Sequence, residues 1–313
     1  MIRLVIDTDP GVDDAHALMA ALGHPNAQVD ALTTVAGNVP LARTTANACA
    51  IADAMGAEVP VYAGCARPLI SPPHHATDFH GEDGLGDSDL PPSERQVEAD
   101  HAVNALIRLG NEAPGERTLV AIGPLTNVAL ATRLDPHLPQ KYAHLVIMGG
   151  AIRGMGNATP AAEFNIYADP EAAAIVFKAW SGLTLVSWET TMAHPFAPPQ
   201  AEALLQIDSP RADFFRRVSQ TTLAFVERFL GQRMMLEPDL LAVAVALEPD
   251  IVLKRETHYV DVELAGANTR GQTTVDWFDR TGEAPNVELV LELDTQRVWE
   301  MMKAALSTDE TDV

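Results

Sequence analysis

The chain has 313 residues, 47% hydrophobic and 20% charged, with 43 acidic against 21 basic side chains and a formal charge of −22. That hydrophobic share is ample for a buried core and excludes disorder as the main state. The acidic excess argues against nucleic acid or an anionic membrane as a partner, because both reward a basic surface.

Short β-type runs alternate with helical patterns from the start. Arg3–Ile6 reads as a strand, Asp13–Leu22 as a helix, Val29–Val35 as a strand, Ala42–Gly56 as a helix and Val59–Val61 as a strand. A stretch rich in Pro, His, Gly and Asp runs from Tyr62 to Glu98. Helix Asp100–Leu109, strand Thr118–Ile122, helix Pro124–Leu134, strand His144–Met148, helix Pro170–Trp180 and strand Leu183–Ser187 come next. The chain then turns helical over Pro198–Leu230 and Pro238–Leu247. It closes with strand-like Ile251–Leu253, Thr257–Glu263, Gln272–Val275 and Val287–Leu291, then a helix at Thr295–Ala305. The polar tail Ser307–Val313 is expected to fray.

Such alternation predicts βαβ units in a single α/β domain over residues 1–313, an open, mostly parallel, Rossmann-like sheet flanked by helices. Ligands of such sheets bind at the C-terminal ends of the strands. The two longest connections, Tyr62–Glu98 and the segment around Phe225–Glu237, are expected to act as lids or binding loops. Only Cys49 and Cys65 occur, too few for a disulfide framework and without metal-type spacing, which points to a reducing compartment. Cys49, in an alanine-rich helix, reads as a small core residue. The N-terminus turns acidic at Asp7, too early for a secretory segment, and the apolar run Leu240–Leu247 is too short to span a bilayer. A cytoplasmic protein is expected.

The strongest chemical signal is Asp7-Thr8-Asp9-Pro10-Gly11-Val12-Asp13-Asp14-Ala15, where the first strand hands over to the first helix. Acids in a first helical turn are favoured by the helix dipole, which accounts for Asp13 and Asp14. It leaves Asp7 and Asp9 unexplained. Carboxylates crowded at one strand end repel one another unless a cation is present, and hard oxygen ligands suit Ca²⁺ or Mg²⁺. The spacing is not that of an EF-hand.

DTDPGVDDA closely resembles the N-terminal signature of the nucleoside hydrolases, the inosine–uridine-preferring family of N-ribohydrolases. The resemblance continues through Val35-Ala36-Gly37-Asn38, His80-Gly81-Glu82-Asp83-Gly84-Leu85-Gly86 and Gly123-Pro124-Leu125-Thr126-Asn127. Met148-Gly149-Gly150-Ala151, Gly156-Asn157-Ala158-Thr159-Pro160, Glu163-Phe164-Asn165, Asp239-Leu240-Leu241-Ala242-Val243 and Gly271-Gln272-Thr273 complete the series. Each piece has an ordinary explanation: Gly37-Asn38 a turn, Gly123-Pro124 a helix start. Glu163 and Asn165 would share one side of an extended segment. Most fall just beyond strand ends, on one rim.

The resemblance implies one Ca²⁺ held by Asp9, Asp14, the backbone carbonyl of Thr126 and Asp239. Asp13, Asn38, Asn157, Glu163 and Asn165 would grip a ribose, with Met148 against its face, and Asp9 would deprotonate the attacking water. The implied reaction is hydrolysis of the N-glycosidic bond of ribonucleosides by a homodimer or homotetramer. N-glycosidic cleavage passes through an oxocarbenium-like state, which carboxylates and amide oxygens stabilise.

The chain departs from the family pattern at one position. In much of the family a His directly precedes the last metal-binding Asp and protonates the departing base, and other members carry an aromatic residue there. Here Pro238 stands at that position, with Glu237 one residue earlier. His80, and after it Arg233, are the candidates to take over protonation, and Phe225 and Phe229, spaced i, i+4, are candidates for a base pocket or for core. Two alternatives stand beside this reading. A haloacid-dehalogenase-like phosphohydrolase would use Asp7 and Asp9, but Gly11 occupies the place of its Thr or Val. A non-catalytic nucleoside or ribose sensor would explain the missing acid.

Overall fold

Residues 1–307 are described by a computed structural model; residues 308–313, most of the tail expected to fray, lie outside them. The first strand, β1 (Ile2–Thr8), sends Leu4 and Ile6 to one core and Val5 to the other. That is the two-residue period of a strand covered on both faces. α1 (Val12–Gly23), β2 (Ala27–Thr34), α2 (Leu41–Ala54) and β3 (Val61–Ala63) follow. The long connection after β3 holds a short helix, α3 (Thr77–His80), before α4 (Ala102–Glu112). Then come β4 (Arg117–Ala121), α5 (Thr126–Leu134), β5 (His144–Met148), α6 (Phe164–Ala168), α7 (Pro170–Ala179), β6 (Leu183–Val186) and α8 (Trp188–Ala193). The remainder is α9 (Pro198–Leu205), α10 (Pro210–Val218), α11 (Gln220–Leu230), α12 (Pro238–Leu247), β7 (Val252–His258), β8 (Val260–Val262), β9 (Thr273–Val275), β10 (Val287–Leu293) and α13 (Thr295–Ser307).

Eight strands form one sheet in the order β3-β2-β1-β4-β5-β6-β10-β7, parallel except for β7, which runs antiparallel to β10 at the edge. One core packs α1, α2, α10, α12 and α13 on a face of the sheet, and the other packs α4, α5, α7 and the small β8–β9 ribbon on the opposite face. α12 is buried along its entire length, as an all-round apolar helix must be. The chain leaves β1 toward β2 on one side and returns through β4 on the other, so the β1/β4 crevice is the topological switch point where such sheets bind ligands.

The expected α/β order holds, with local corrections. The helical run Pro198–Leu230 is three helices, because the Ser209 hydroxyl caps Ala212 N–H and Pro210 opens a new first turn. The second expected loop is shorter than Phe225–Glu237, since α11 runs to Leu230 and ends at Gly231 with φ +71°. Thr257–Glu263 is not one strand: β7 stops at His258 and β8 pairs with β9 outside the main sheet. β7 also carries exposed Lys254 and Arg255 and half-buried Glu256, charges that protect an edge from further pairing and hide it from an alternation test. Cys49 is in the core. Among the described residues no helix is long and apolar enough to cross a membrane.

Candidate active site

Asp9-Pro10-Gly11 is the whole turn between β1 and α1. Asp14, fully buried in the first turn of α1, accepts from Thr8 Oγ1 at 2.5 Å, Gly11 N at 2.9 Å, Asn38 Nδ2 at 3.0 Å and Asp9 N at 3.2 Å. These four donors fix its carboxylate. Asp9 is also fully buried; its Oδ2 accepts Asn38 N at 2.7 Å, while its Oδ1 has no hydrogen-bond partner. The turns after β2 and β4 close directly on it. A Cβ at Gly37 would lie 2.0 Å from Asp9 Oδ2, and one at Gly123 would lie 2.5 Å from Asp9 Oδ1. Both motif glycines are therefore required by the close approach of backbone to this carboxylate.

Oxygens of Asp13, Asp14 and Asp239 lie within 4.8 Å of one another. α1 supplies two of these residues and the first turn of α12 the third. Burial, reinforced by like charge, pushes all of the group up: Asp9 and Asp239 well above the ordinary carboxylate range, Asp13 and Asp14 to about 6. Hard oxygens gathered in this way fit a cation that takes roughly 6–8 oxygen ligands; Asp9, expected as a ligand, is not one of the three, although its charge acts on Asp239. Asp13, expected on the sugar, stands with this cluster as well as on the cavity wall. Thr126 opens α5 just after Gly123, and its hydroxyl donates to Asp169 Oδ2 at 2.7 Å. Asp7 faces away: its Oδ1 accepts from Thr33 Oγ1 at 2.6 Å and Asn127 Nδ2 at 2.8 Å, tying β1 to β2 and α5.

Raised folded-state values mean that the metal-free fold takes up protons relative to the unfolded chain. The resulting stabilisation is full below the unfolded carboxylate value near 4 and is lost as pH rises through about 6. Chelator-stripped protein should therefore melt at a higher temperature at about pH 5 than at about pH 8, with added Ca²⁺ raising the melting temperature most at the upper end. Melting curves independent of both pH and calcium would contradict the cluster.

Above the carboxylates opens a cavity of about 650 Å³ lined by Asp13, Asn38, His80, Met148, Asn157, Glu163, Asn165 and Asp239, together with apolar walls. The amides on the cavity wall are oriented by their hydrogen bonds. Asn38 Nδ2 donates to Asp9 O and Asp14 Oδ2, and Asn165 Nδ2 to Ile122 O and Met148 O at the ends of two strands. Each keeps its amide oxygen as acceptor. Asn157 is the reverse, its Oδ1 taking Phe164 N at 2.9 Å and leaving the NH₂ to donate. Glu163 and Asn165 are not on an extended segment. Glu163 caps α6, accepting from Gly150, Asn165 and Ile166 N–H, so that Asn165 enters the first helical turn. Burial still pushes Glu163 up to about 7 against those three donors.

His80 ends α3 as a buried wall residue, with Nδ1 accepting Val12 N–H at 3.1 Å. Burial pulls its pKa down to about 4. Arg233 is exposed and absent from the cavity lining, so it is no candidate donor. Phe225 and Phe229 both line the cavity and neither is core; they stack at 5.4 Å and 10°, and Phe79 meets Phe225 edge-on at 5.0 Å. Trp188, Met192 and Leu236 complete this wall and were not foreseen. Trp188 directly follows the Ser187 cap after β6, and the strand-end rule could have found it.

The pattern of the inosine-uridine preferring nucleoside hydrolases matches residues 4–300. The chain belongs to this family. It is 36% identical to the inosine-uridine preferring nucleoside hydrolase of Crithidia fasciculata over 309 residues, 97% of each chain. It is 33% identical to the pyrimidine-specific ribonucleoside hydrolase RihB of Shigella flexneri over 301 residues, 96% of each. A solved inosine-guanosine nucleoside hydrolase superposes with a TM-score of 0.91 at 34% identity, covering 97% of this chain and 98% of that one. Membership in the nucleoside hydrolases removes the haloacid-dehalogenase alternative. The relatives agree on nucleosides and differ in the base they name.

Proposed function

We propose that this nucleoside hydrolase cleaves the N-glycosidic bond of ribonucleosides to ribose and free base, with Asp9 as general base. The observation that carries it is the buried Asp9 carboxylate with one unpartnered oxygen, close enough to feel the charges of Asp14 and Asp13, beside a cavity whose wall includes Asp13 and Asp239. Asn38 N–H pins Asp9 Oδ2, so Oδ1 is free to take a proton from water. Ca²⁺, bound by Asp9, Asp14, Asp239 and the Thr126 carbonyl with Asp13 alongside, would supply positive charge that orients water and sugar hydroxyls and makes the water more acidic. Asn38 and Asn165 oxygens accept from ribose hydroxyls, Asn157 donates, and Met148 packs on the sugar face. The Glu163 carboxylate stabilises positive charge developing on the ring.

The departing base meets a wall of aromatic carbon, and Pro238 offers it no proton. His80 contributes a neutral donor: with Nδ1 accepting from Val12, its one proton is on Nε2. Turnover should therefore depend strongly on how well the base leaves unaided. A panel of inosine, uridine and p-nitrophenyl riboside, read as ribose released, tests this. The activated riboside should lead by up to about 10²–10⁴-fold in kcat/KM, the usual range of general-acid catalysis, and His80→Ala should slow inosine more than the riboside. Equal kcat/KM for all three, unchanged in His80→Ala, would contradict the assignment. Ribose affinity with no ribose release would make the protein a sensor.

A further inference from the structure

Three elements of the site meet at one imidazole outside the cavity. His16, on α1 one turn beyond Asp13, is 2% exposed. Its Nδ1 lies 2.9 and 3.1 Å from the two carboxylate oxygens of Glu237, and its Nε2 lies 3.0 Å from Ser219 Oγ. Ser219, also buried between α10 and α11, donates its proton to Phe215 O at 2.5 Å. The serine oxygen must then accept, so Nε2 carries a hydrogen. Nδ1 faces the Glu237 carboxylate, so the ring is held at both nitrogens.

Glu237 occupies the N-cap position of α12 yet caps nothing with its side chain, and Pro238 after it has no N–H to cap. The carboxylate instead reaches across to α1. Its neighbours make this an odd choice for stability alone, because it adds an acid beside Asp13, whose carboxyl Glu237 pushes up while His16 offsets it in part. Buried ion pairs are often matched or bettered in stability by apolar side chains of similar volume. Position offers the better explanation. The tie joins the segment bearing Asp13 and Asp14 to the segment bearing Asp239, and through Ser219 to α11 with Phe225 and Phe229.

We propose that the Glu237–His16–Ser219 chain is a positioning bridge that holds the carboxylates of α1 and α12 in register for the cation. This inference rests on the functional reading above. Outer partners of metal ligands typically contribute about 10–100-fold in metal affinity. The test is calorimetric titration of Ca²⁺ into stripped wild-type protein, His16→Leu/Glu237→Leu and Glu237→Gln, with melting temperatures measured alongside. The single variant His16→Leu would strand a buried acid and fold poorly, whereas the double variant removes both partners together. The double variant should melt near the wild-type temperature, bind Ca²⁺ about 10–100-fold more weakly and raise KM for inosine. Glu237→Gln, whose amide NH₂ can donate to His16 Nδ1, should recover most of that loss. A double variant with wild-type affinity and KM overturns the bridge, as does a loss that merely tracks melting temperature. Wild-type protein that takes up no Ca²⁺ overturns the functional reading and the bridge with it, and is told apart by that first titration.

Discussion

Asp14→Ala should abolish both calcium binding and turnover. Asp14 accepts from both sides of the β1 turn and from Asn38, so on the proposed reading its loss removes a cation ligand and unfastens the Asn38 amide together. Loss of a fixed charge at such a centre typically costs on the order of 10²–10³-fold in kcat, before the lost cation is counted. The alanine also strands buried donors, each at about 1–3 kcal/mol, so reduced stability is expected as well. Asp14→Asn separates the two effects. It keeps one acceptor oxygen, enough for Thr8 and Asp9 N–H or for Gly11 N–H and Asn38 but not for both pairs, so it should fold better than the alanine, yet it should still bind Ca²⁺ poorly by calorimetry. Undiminished binding and activity in Asp14→Asn would remove Asp14 from the cation site.

Asp9→Asn should leave nucleoside binding in place and remove the chemistry. The side chain keeps its size, and one oxygen can still accept Asn38 N–H. What disappears is the basic oxygen, and removal of a positioned general base costs roughly 10²–10⁴-fold. Ribose or inosine binding measured by calorimetry should stay within a small factor of wild type while kcat collapses. The narrow space left by Gly37 and Gly123 admits no larger substitute. A near-normal kcat in Asp9→Asn would mean that another group activates water.

The parts legible in sequence are those set by local periodicity and by turn chemistry. β1 with its Asp-Pro-Gly turn, the paired acids of α1 and the strand-end motifs all converge on one crevice, as the doubly wound pattern requires. Other parts depend on contacts that no local window contains. β10 inserts between β6 and β7, a pairing fixed by packing between distant segments. α6 is five residues long and owes its start to Glu163 capping rather than to an apolar period. Phe225 and Phe229 have helical spacing that suits a core equally well, and only the fold leaves Phe229 76% exposed at the cavity lip. The His16–Glu237 contact joins residues 221 apart. In sequence, His16 is the one polar side chain after the paired acids of an otherwise apolar helix, and Glu237 an ordinary acid before a proline.

The most direct test of a cation-assisted nucleoside hydrolase is product release from stripped protein titrated with Ca²⁺. Inosine and uridine are supplied in excess, and ribose and free base are quantified together. Ribose and base should appear in equal amounts, rise with calcium to saturation near one ion per chain, and vanish again on chelation. Ribose release that persists at full rate in chelator, or calcium-saturated protein that releases none from any nucleoside, would contradict it.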